Sequence, residues 1–211
     1  MKKMLLIAMT LVLAMPMASA QNKALNKALQ KEYKAKMKEF KAEGWKLFAS
    51  SRSLDVALLL HYEQLNEAGD KAYEVVGTAA KFKSNNVGHQ VAINNACNIY
   101  SRQAGSHIKG RIVSDLANDG VDPSSEFDHF YAAYEALVEK EIKGEMKESF
   151  SVIRENKDGS YEMQSFFIVN EDAASQARIR AFENAAKESA VAQKYALKVA
   201  DFVREGFKVE E

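Results

Sequence analysis

The feature that most constrains the fold is the small number of strand-like segments, four in all, set among longer helical segments. Each of the four is short, and each either alternates apolar and polar residues or is rich in β-branched and aromatic residues. They are 44–50 (GWKLFAS), 73–83 (YEVVGTAAKFK), 146–156 (MKESFSVIREN) and 160–170 (SYEMQSFFIVN). Four short strands are too few for two packed sheets. We therefore expect an α+β fold with one small, mostly antiparallel four-stranded sheet on which the helices pack.

Glycines give two local signals within these strands. Asp158 and Gly159 stand between the last two strands, and an Asp-Gly pair between alternating runs predicts a β-hairpin. Gly77 lies inside the second strand, where a glycine often marks the close approach of another backbone. A second element should therefore pack tightly over residue 77.

The helical segments predict a single domain. Ser53 is a plausible N-cap for a helix at 54–69 that is apolar almost all round, which is typical of a central, buried helix. A long Ala-rich helix at 171–207 ends the chain. Neither low-complexity segments nor repeats divide the sequence, so we expect one α+β domain over 44–211.

Residues 91–112 (VAINNACNIYSRQAGSHIKGRI) have the pattern of a helix whose first eleven positions carry no charge. Its apolar residues fall in one narrow sector, with alanines at the margin and asparagines mostly on the other side. Uncharged polar groups suit a helix face that is partly covered, so the pattern indicates tight packing rather than ligand binding. Cys97, the only cysteine, lies in the apolar sector, and we expect a buried thiol and no internal disulfide.

The N-terminus predicts export. Lys2 and Lys3 precede an apolar run that ends in ASA at residues 18–20, the pattern of a signal peptide cleaved after Ala20. Cleavage of the first 20 of 211 residues leaves 191, and no cysteine follows for lipid attachment. The mature chain has 27 basic and 29 acidic residues, which does not indicate nucleic-acid binding. We expect a periplasmic or cell-envelope protein.

Residues 22–42 predict a charged amphipathic helix at the start of the mature chain. Residues 21–43 hold seven lysines and three glutamates, a formal charge of +4, so the rest of the mature chain carries −6. A solvent-exposed face explains these lysines, and contact with an anionic membrane surface is the alternative.

The histidines do not predict a metal site. His61 and His107 lie on apolar helix faces, His129 lies in an aromatic helix, and we expect His89 in the loop before residue 91. None of the four has the HxxxH or HxH spacing that brings two imidazoles to one metal. Nucleophile elbows and phosphate-binding loops are also missing from the sequence. We therefore expect no catalytic residue, metal or cofactor, and no enzyme activity.

One small set of residues remains as a candidate ligand or partner surface. Tyr131 lies off the apolar stripe of the helix formed by residues 127–142. His107 and Arg111 lie one turn apart on the preceding helix. The hypothesis requires the three side chains to meet in the fold.

The order of these elements resembles a known family. YEVVGTAAKF is followed by AINNACNIYSRQAGSHIKGRI, then by the hairpin FSVIRENKDGSYEMQSFFIV and an Ala-rich helix. This arrangement, over about residues 70–170, is similar to the LPP-twenty-type envelope lipoproteins and to the N-terminal domain of the flagellar assembly T protein. The resemblance implies an α+β envelope protein with a binding or assembly role, without established catalytic residues. The chain departs from that family in having no lipobox cysteine, and in its added first and last helices.

Three functions are consistent with these patterns. The first is an exported, non-enzymatic cell-envelope protein that binds another envelope protein or itself. The second is a periplasmic chaperone-like holder, favoured by the charged first helix. The third is a small-ligand-binding protein with a pocket near His107, Arg111 and Tyr131.

Overall fold

The computed structural model describes residues 15–118, 127–187, 189, 193 and 196–205. The helices are α1 (Met15–Glu43), α2 (Leu54–Ala68), α3 (Asn85–Asn118), α4 (Asp128–Ile142), α5 (Glu171–Ala186) and α6 (Ala196–Glu205). The strands are β1 (Lys46–Leu47), β2 (Ala72–Phe82), β3 (Met146–Glu155) and β4 (Tyr161–Asn170). Residues 1–14, which belong to the predicted signal peptide, and residues 119–126 lie outside the described residues.

The strands form one antiparallel sheet in the order β1-β3-β4-β2, which confirms the predicted fold class. The hairpin between β3 and β4 is also confirmed, and Gly159 adopts the left-handed φ of 74° that its turn requires. The Asp158 carboxylate accepts hydrogen bonds from the hydroxyl and the backbone N–H of Ser160, and these bonds lower its pKa. The turn residues thus fix the hairpin register.

Helices α1 and α2 cover one face of the sheet. Phe40 is fully buried, and its ring makes edge contacts with Phe150 and Phe166, whose own rings stack at 4.5 Å. Ser53 caps α2 as predicted, accepting a hydrogen bond from the backbone N–H of Val56. The remaining buried residues of this core are Met37, Trp45, Ala57, Leu58 and Val152.

Helix α3 lies against the other face, and its closest approach is at Gly77. A Cβ at Gly77 would overlap the carbonyl oxygen of Ala92 and the side chain of Ala96. Gly77 pairs in register with Ser165, and Ser165 pairs with Ser151, so a row of small residues crosses three strands beneath the helix. The predicted close backbone approach is therefore confirmed, and it places the first half of α3 on the sheet.

The second half of α3 extends beyond the sheet and packs with α4, α5 and α6. Tyr100, Ile108 and Ile112 are buried there with the aromatic face of α4. Asn95 accepts a hydrogen bond from the Thr78 backbone N–H, and Asn94 accepts one from Lys143. The uncharged polar residues of the segment 91–112 thus contact neighbouring elements on both sides, as the tight-packing interpretation required.

The structure corrects three details of the sequence analysis. Helix α2 is not central, because Val56 and Leu59 on its outer face are 46% and 55% exposed. Helix α3 begins at Asn85, so His89 lies inside the helix and not in a loop before it. The predicted final helix ends at Ala186, and the described helix α6 follows from Ala196. Helical periodicity is the same in one long helix as in two shorter ones, so the pattern did not reveal this division.

Candidate functional site

The structure places His107 and Arg111 together, on the side of α3 that faces α6. The Arg111 guanidinium lies 5.0 Å from the centre of the Phe202 ring, a cation–π contact. His107 borders a cavity of about 10 Å³ with Tyr134 and Phe202, too small for a ligand larger than one water. Both side chains therefore lie at the contact between α3 and α6.

Tyr131 does not border this cavity. It is buried with the aromatic stripe of α4, although its position in the sequence placed it off that stripe. Its ring stacks on the Phe127 ring, with 5.9 Å between the ring centres, and makes an edge contact with Phe130. The Lys109 ammonium lies over the Tyr131 ring, 5.3 Å from its centre. Burial raises its pKa to about 12, and its hydroxyl has no hydrogen-bond partner among the described residues. The stripe of α4 is wider than the periodicity indicated, because Phe127 and Lys109 cover the side of Tyr131.

A buried arginine organises the same region, and the sequence analysis missed it. Arg178 is 2% exposed. Its guanidinium donates to the Tyr100 hydroxyl at 2.6 Å, to Glu171 at 2.5 Å and to the Val203 carbonyl at 3.3 Å. Burial disfavours the charged form, but the hydrogen bond to Glu171 and the field of Tyr100 outweigh it, and the pKa of Arg178 is raised. These bonds join α3, α5 and α6, so Arg178 has a structural role.

Two surfaces outside this region have the properties of binding sites. The first is the α1–α2 face, which we define as Lys34, Lys38, Lys41, Val56, Leu59, Glu63 and Glu67. The apolar pair Val56 and Leu59 lies on the outer side of α2, and the lysines line a groove of about 640 Å³ beside Tyr33 and Asp55. Helix α2 has three acidic residues and no Lys or Arg, so a basic helix lies beside an acidic one.

The second is the β3 cleft, a cavity of about 630 Å³ between α2, the start of α3 and the outer edge of β3. Its lining is mainly polar with a few apolar side chains. The residues are Phe48, Ala49, Ser50, Arg52, Ala57, Leu60, Gln64, His89 and 147–151. The volume is in the range of ligand-binding pockets.

A β-bulge shapes the floor of the β3 cleft. Glu148 pairs with Phe167, but Phe150 pairs with the adjacent Phe166, so Ser149 is an extra residue in β3. Residues three apart in a regular strand point to opposite faces, whereas this bulge puts Glu148 and Ser151 on the same face. The change of face brings the Glu148 carboxylate within reach of His89 on α3.

A hydrogen-bond network holds the Glu148 carboxylate in place. His89 Nε2 lies 3.0 and 2.9 Å from its two oxygens, and Ser151 donates to it. The Ser151 and Ser165 hydroxyls, both buried, lie 2.7 Å apart. Because Ser151 gives its single proton to Glu148, Ser165 is the donor in that second bond. The arrangement holds the Glu148 carboxylate in a fixed position between α3 and β3.

Sequence reasoning missed the β3 cleft because its parts are far apart in the chain. His89 and Glu148 are separated by 59 positions, and the bulge at Ser149 has no strong sequence signal. The alternation in ESFSV reads equally well as a regular strand. Three polar residues in one short strand, Glu148, Ser149 and Ser151, were the available signal.

The described residues supply no site for a metal ion, since no three His, Cys, Asp or Glu side chains are clustered to hold one. Cys97 is buried as predicted, and desolvation raises the pKa of its thiol. Within the part of the chain that the structure describes, none of the helices has the length and hydrophobicity needed to cross a membrane.

In comparisons with known proteins, no family model, curated protein or solved structure matches this chain.

Proposed function

We propose that this protein is exported to the cell envelope and acts there without catalysis, as a protein-contact module that pairs with a second copy of itself. The observation that carries the proposal is the α1–α2 face. Val56 and Leu59 are large apolar side chains, about half exposed, on the acidic helix α2, which packs beside the basic helix α1. An apolar centre with a charged rim is the usual composition of a protein interface.

The charge pattern of this face favours a second copy as its partner. Residues 21–43 carry +4, and Leu54–Ala68 carries −3. In a two-fold dimer, each surface patch meets its own copy, so the lysines of α1 in one protomer can face Glu63 and Glu67 of the other. The apolar residues would then be buried at the centre.

Export is the second part of the proposal. It is supported by the charged, apolar and small-residue regions of 1–20. Cleavage after Ala20 would shorten α1 from Met15–Glu43 to residues 21–43 and leave the α1–α2 face whole. The resemblance to envelope proteins over about residues 70–170 has the same implication. Intact-mass spectrometry of protein from the exported fraction should give a chain that starts at Gln21, and retention of residues 1–20 would contradict export with cleavage.

Light scattering of the mature protein between 10 and 500 µM tests self-association. We expect a dimer whose dissociation increases with salt, because charge pairs surround the contact. The double variant Val56→Glu and Leu59→Glu should be monomeric. The matched control Val87→Glu and Val113→Glu also charges two exposed valines, on α3, and should remain dimeric.

A wild-type protein that is monomeric at 500 µM would overturn self-association. If an envelope protein then bound the wild type and not the Val56→Glu and Leu59→Glu variant, the α1–α2 face would be the binding site for that protein and not for a second copy. Dimers that persist in this variant would place the contact on another surface.

A further inference from the structure

The outer edge of β3 is only partly covered by β1. Strand β1 pairs with β3 at Lys46–Ile153 and Leu47–Val152, and the Phe48 N–H donates to the Ser151 carbonyl at 2.9 Å. The next residue, Ala49, has a φ of 49°, a left-handed conformation that is rare for alanine, and there the chain turns away from the sheet. In the described part of the chain, no strand covers the outer edge of 146–150.

The β3 cleft lies where β1 would continue if the chain did not turn. Residues 147–151 form one wall, α2 borders the opening on one side of the sheet, and His89 borders it on the other. An unpaired strand edge at the bottom of a cleft is the geometry used in strand addition, in which an extended peptide pairs with the edge through its backbone. The five uncovered residues span about 17 Å at roughly 3.3 Å per residue, enough for a peptide of five residues.

The side chains around this edge define the kind of peptide that fits. Glu148 is already held by His89 and Ser151, so its charge is largely satisfied. Arg52 and Lys147 also line the β3 cleft, and neither forms an ion pair with any described residue. Phe48 and Leu60 add apolar surface. Since side chains alternate along a strand, a peptide with alternating apolar and acidic residues matches both features.

The other sheet edge, on β2, does not have this geometry. Its register shifts between Ala79 and Phe82, Lys81 has a φ of 56°, and no cleft of the β3 kind is found along it among the described residues. The uncovered edge of β3 also has a bulge and a lysine, so the two edges differ in the cleft that borders β3 and not in the regularity of their backbones. The two edges therefore differ, and the comparison between them provides the control.

We infer that the β3 cleft binds an extended segment of another protein, rich in alternating apolar and acidic residues, which adds to the sheet as a strand beside Met146–Phe150. This inference rests on the proposed protein-contact role but uses a different surface from the α1–α2 face. The bulge at Ser149 and the network around Glu148 hold the edge in shape before the peptide arrives. Binding therefore needs ordering of the peptide and little change in the protein.

The test titrates the peptide acetyl-TVEVET-amide into the ¹⁵N-labelled mature protein. The Val56→Glu and Leu59→Glu variant serves as the host, so that the result does not depend on dimerisation. We expect saturable chemical-shift changes at 146–151 and slower hydrogen exchange of amides in 146–150. A second peptide has the same side chains, but N-methylation of alternate backbone amides removes their N–H donors. It should bind at least tenfold more weakly. The peptide acetyl-TVKVKT-amide should also bind at least tenfold more weakly.

Charge-reversal variants complete the experiment. Arg52→Glu with Lys147→Glu should weaken binding of acetyl-TVEVET-amide at least tenfold. The matched control, Lys81→Glu with Lys83→Glu, reverses two exposed charges at the β2 edge and should leave binding unchanged. Equal binding of the N-methylated peptide, shifts at β2 instead of β3, or no binding at millimolar peptide would each overturn the inference. None of these results depends on whether the wild type is a dimer, so the two proposals fail separately.

Discussion

At the scale of single residues, glycines show how closely the elements of this fold approach one another. Gly77 faces backbone atoms of Ala92, which cannot move without moving α3. Gly105 faces only the Glu135 side chain, which can rotate away. Gly110, on the same helix, has no atom within 4 Å of the position that an alanine methyl group would occupy. The three sites therefore form a graded series for the same substitution.

Gly77→Ala should lower the free energy of unfolding by about 3 kcal/mol, since the methyl group overpacks against a backbone wall. Gly105→Ala should change it by about 1 kcal/mol or less, because the higher helix propensity of alanine offsets the shift of Glu135. Gly110→Ala should raise it by up to about 1 kcal/mol for the same propensity reason. Urea unfolding measures all three, and equal effects at 77 and 110 would contradict the close contact.

Arg178→Met should lower the free energy of unfolding by about 3–5 kcal/mol, because it leaves the Glu171 carboxylate without its buried partner. Arg180→Met is the matched control. Arg180 lies on the same helix and pairs with Glu141 and Glu145, but its side chain is 43% exposed. That substitution should cost less than about 1 kcal/mol. A small effect of Arg178→Met would show that the cost of desolvating Arg178 offsets the free energy gained from its ion pair with Glu171.

The residue scale is also where sequence reasoning was most successful. Ser53, Gly77 and Gly159 were identified correctly, because a cap, a close approach and a left-handed turn each depend on one residue and its neighbours. Tyr131 was misjudged, since its burial depends on Phe127 and Lys109 together and not on its position on a helical wheel. Features that depend on neighbouring residues could be predicted from the sequence, whereas contacts between side chains far apart in the chain could not.

At the scale of elements, the helices on the two sheet faces are fixed in different ways. Helix α3 packs on the sheet and on α4. The side chains of α1 are described from residue 27 onwards, and among them Met37 and Phe40 are the buried ones. Within residues 27–43, α1 is therefore held by a few contacts near its C-terminal end.

Phe40→Ala should lower the free energy of unfolding by about 3–5 kcal/mol, because the cavity left beside Phe150 and Phe166 is fully enclosed. Val87→Ala, on the exposed side of α3, should change it by no more than about 0.5 kcal/mol. Chemical denaturation gives both values. If Phe40→Ala instead behaved like the surface control, α1 would be dispensable for the stability of the domain.

Element types were predicted well, but element environments were not. The order of helices and strands follows from periodicity and turn residues, which act over a few positions. The burial of α2 was overestimated because Val56 and Leu59 are apolar, and hydrophobicity alone does not tell a buried helix face from an exposed one. The β3 cleft was missed because it depends on a bulge at one residue and on a partner histidine on another helix.

At the scale of the whole molecule, β3 and β4 belong to both cores. Phe150 and Phe166 pack under α1 and α2, while Phe167 and Val169 pack under α3 and α5. Neither core can lose its packing without disturbing the strands that support the other. The sheet therefore couples the two halves of the fold.

Unfolding should accordingly be a single cooperative transition. Trp45, the only tryptophan, is buried in the α1–α2 core and reports on that side by fluorescence. Far-ultraviolet circular dichroism reports on all helices, including those on the opposite face. The two signals should give the same urea midpoint. Separate midpoints would mean that the faces are independent units and that the single-domain prediction fails.

The position of Val203 in the chain has a consequence for the order of events during synthesis. Its carbonyl oxygen accepts the hydrogen bond from Arg178 Nε, and Phe202 beside it covers the end of the large core. In a nascent chain that has emerged only as far as α5, Arg178 therefore still lacks the Val203 carbonyl as a hydrogen-bond acceptor. The native state therefore becomes available only after residues 196–205 have emerged, so folding of this domain cannot finish before α6 has been synthesised.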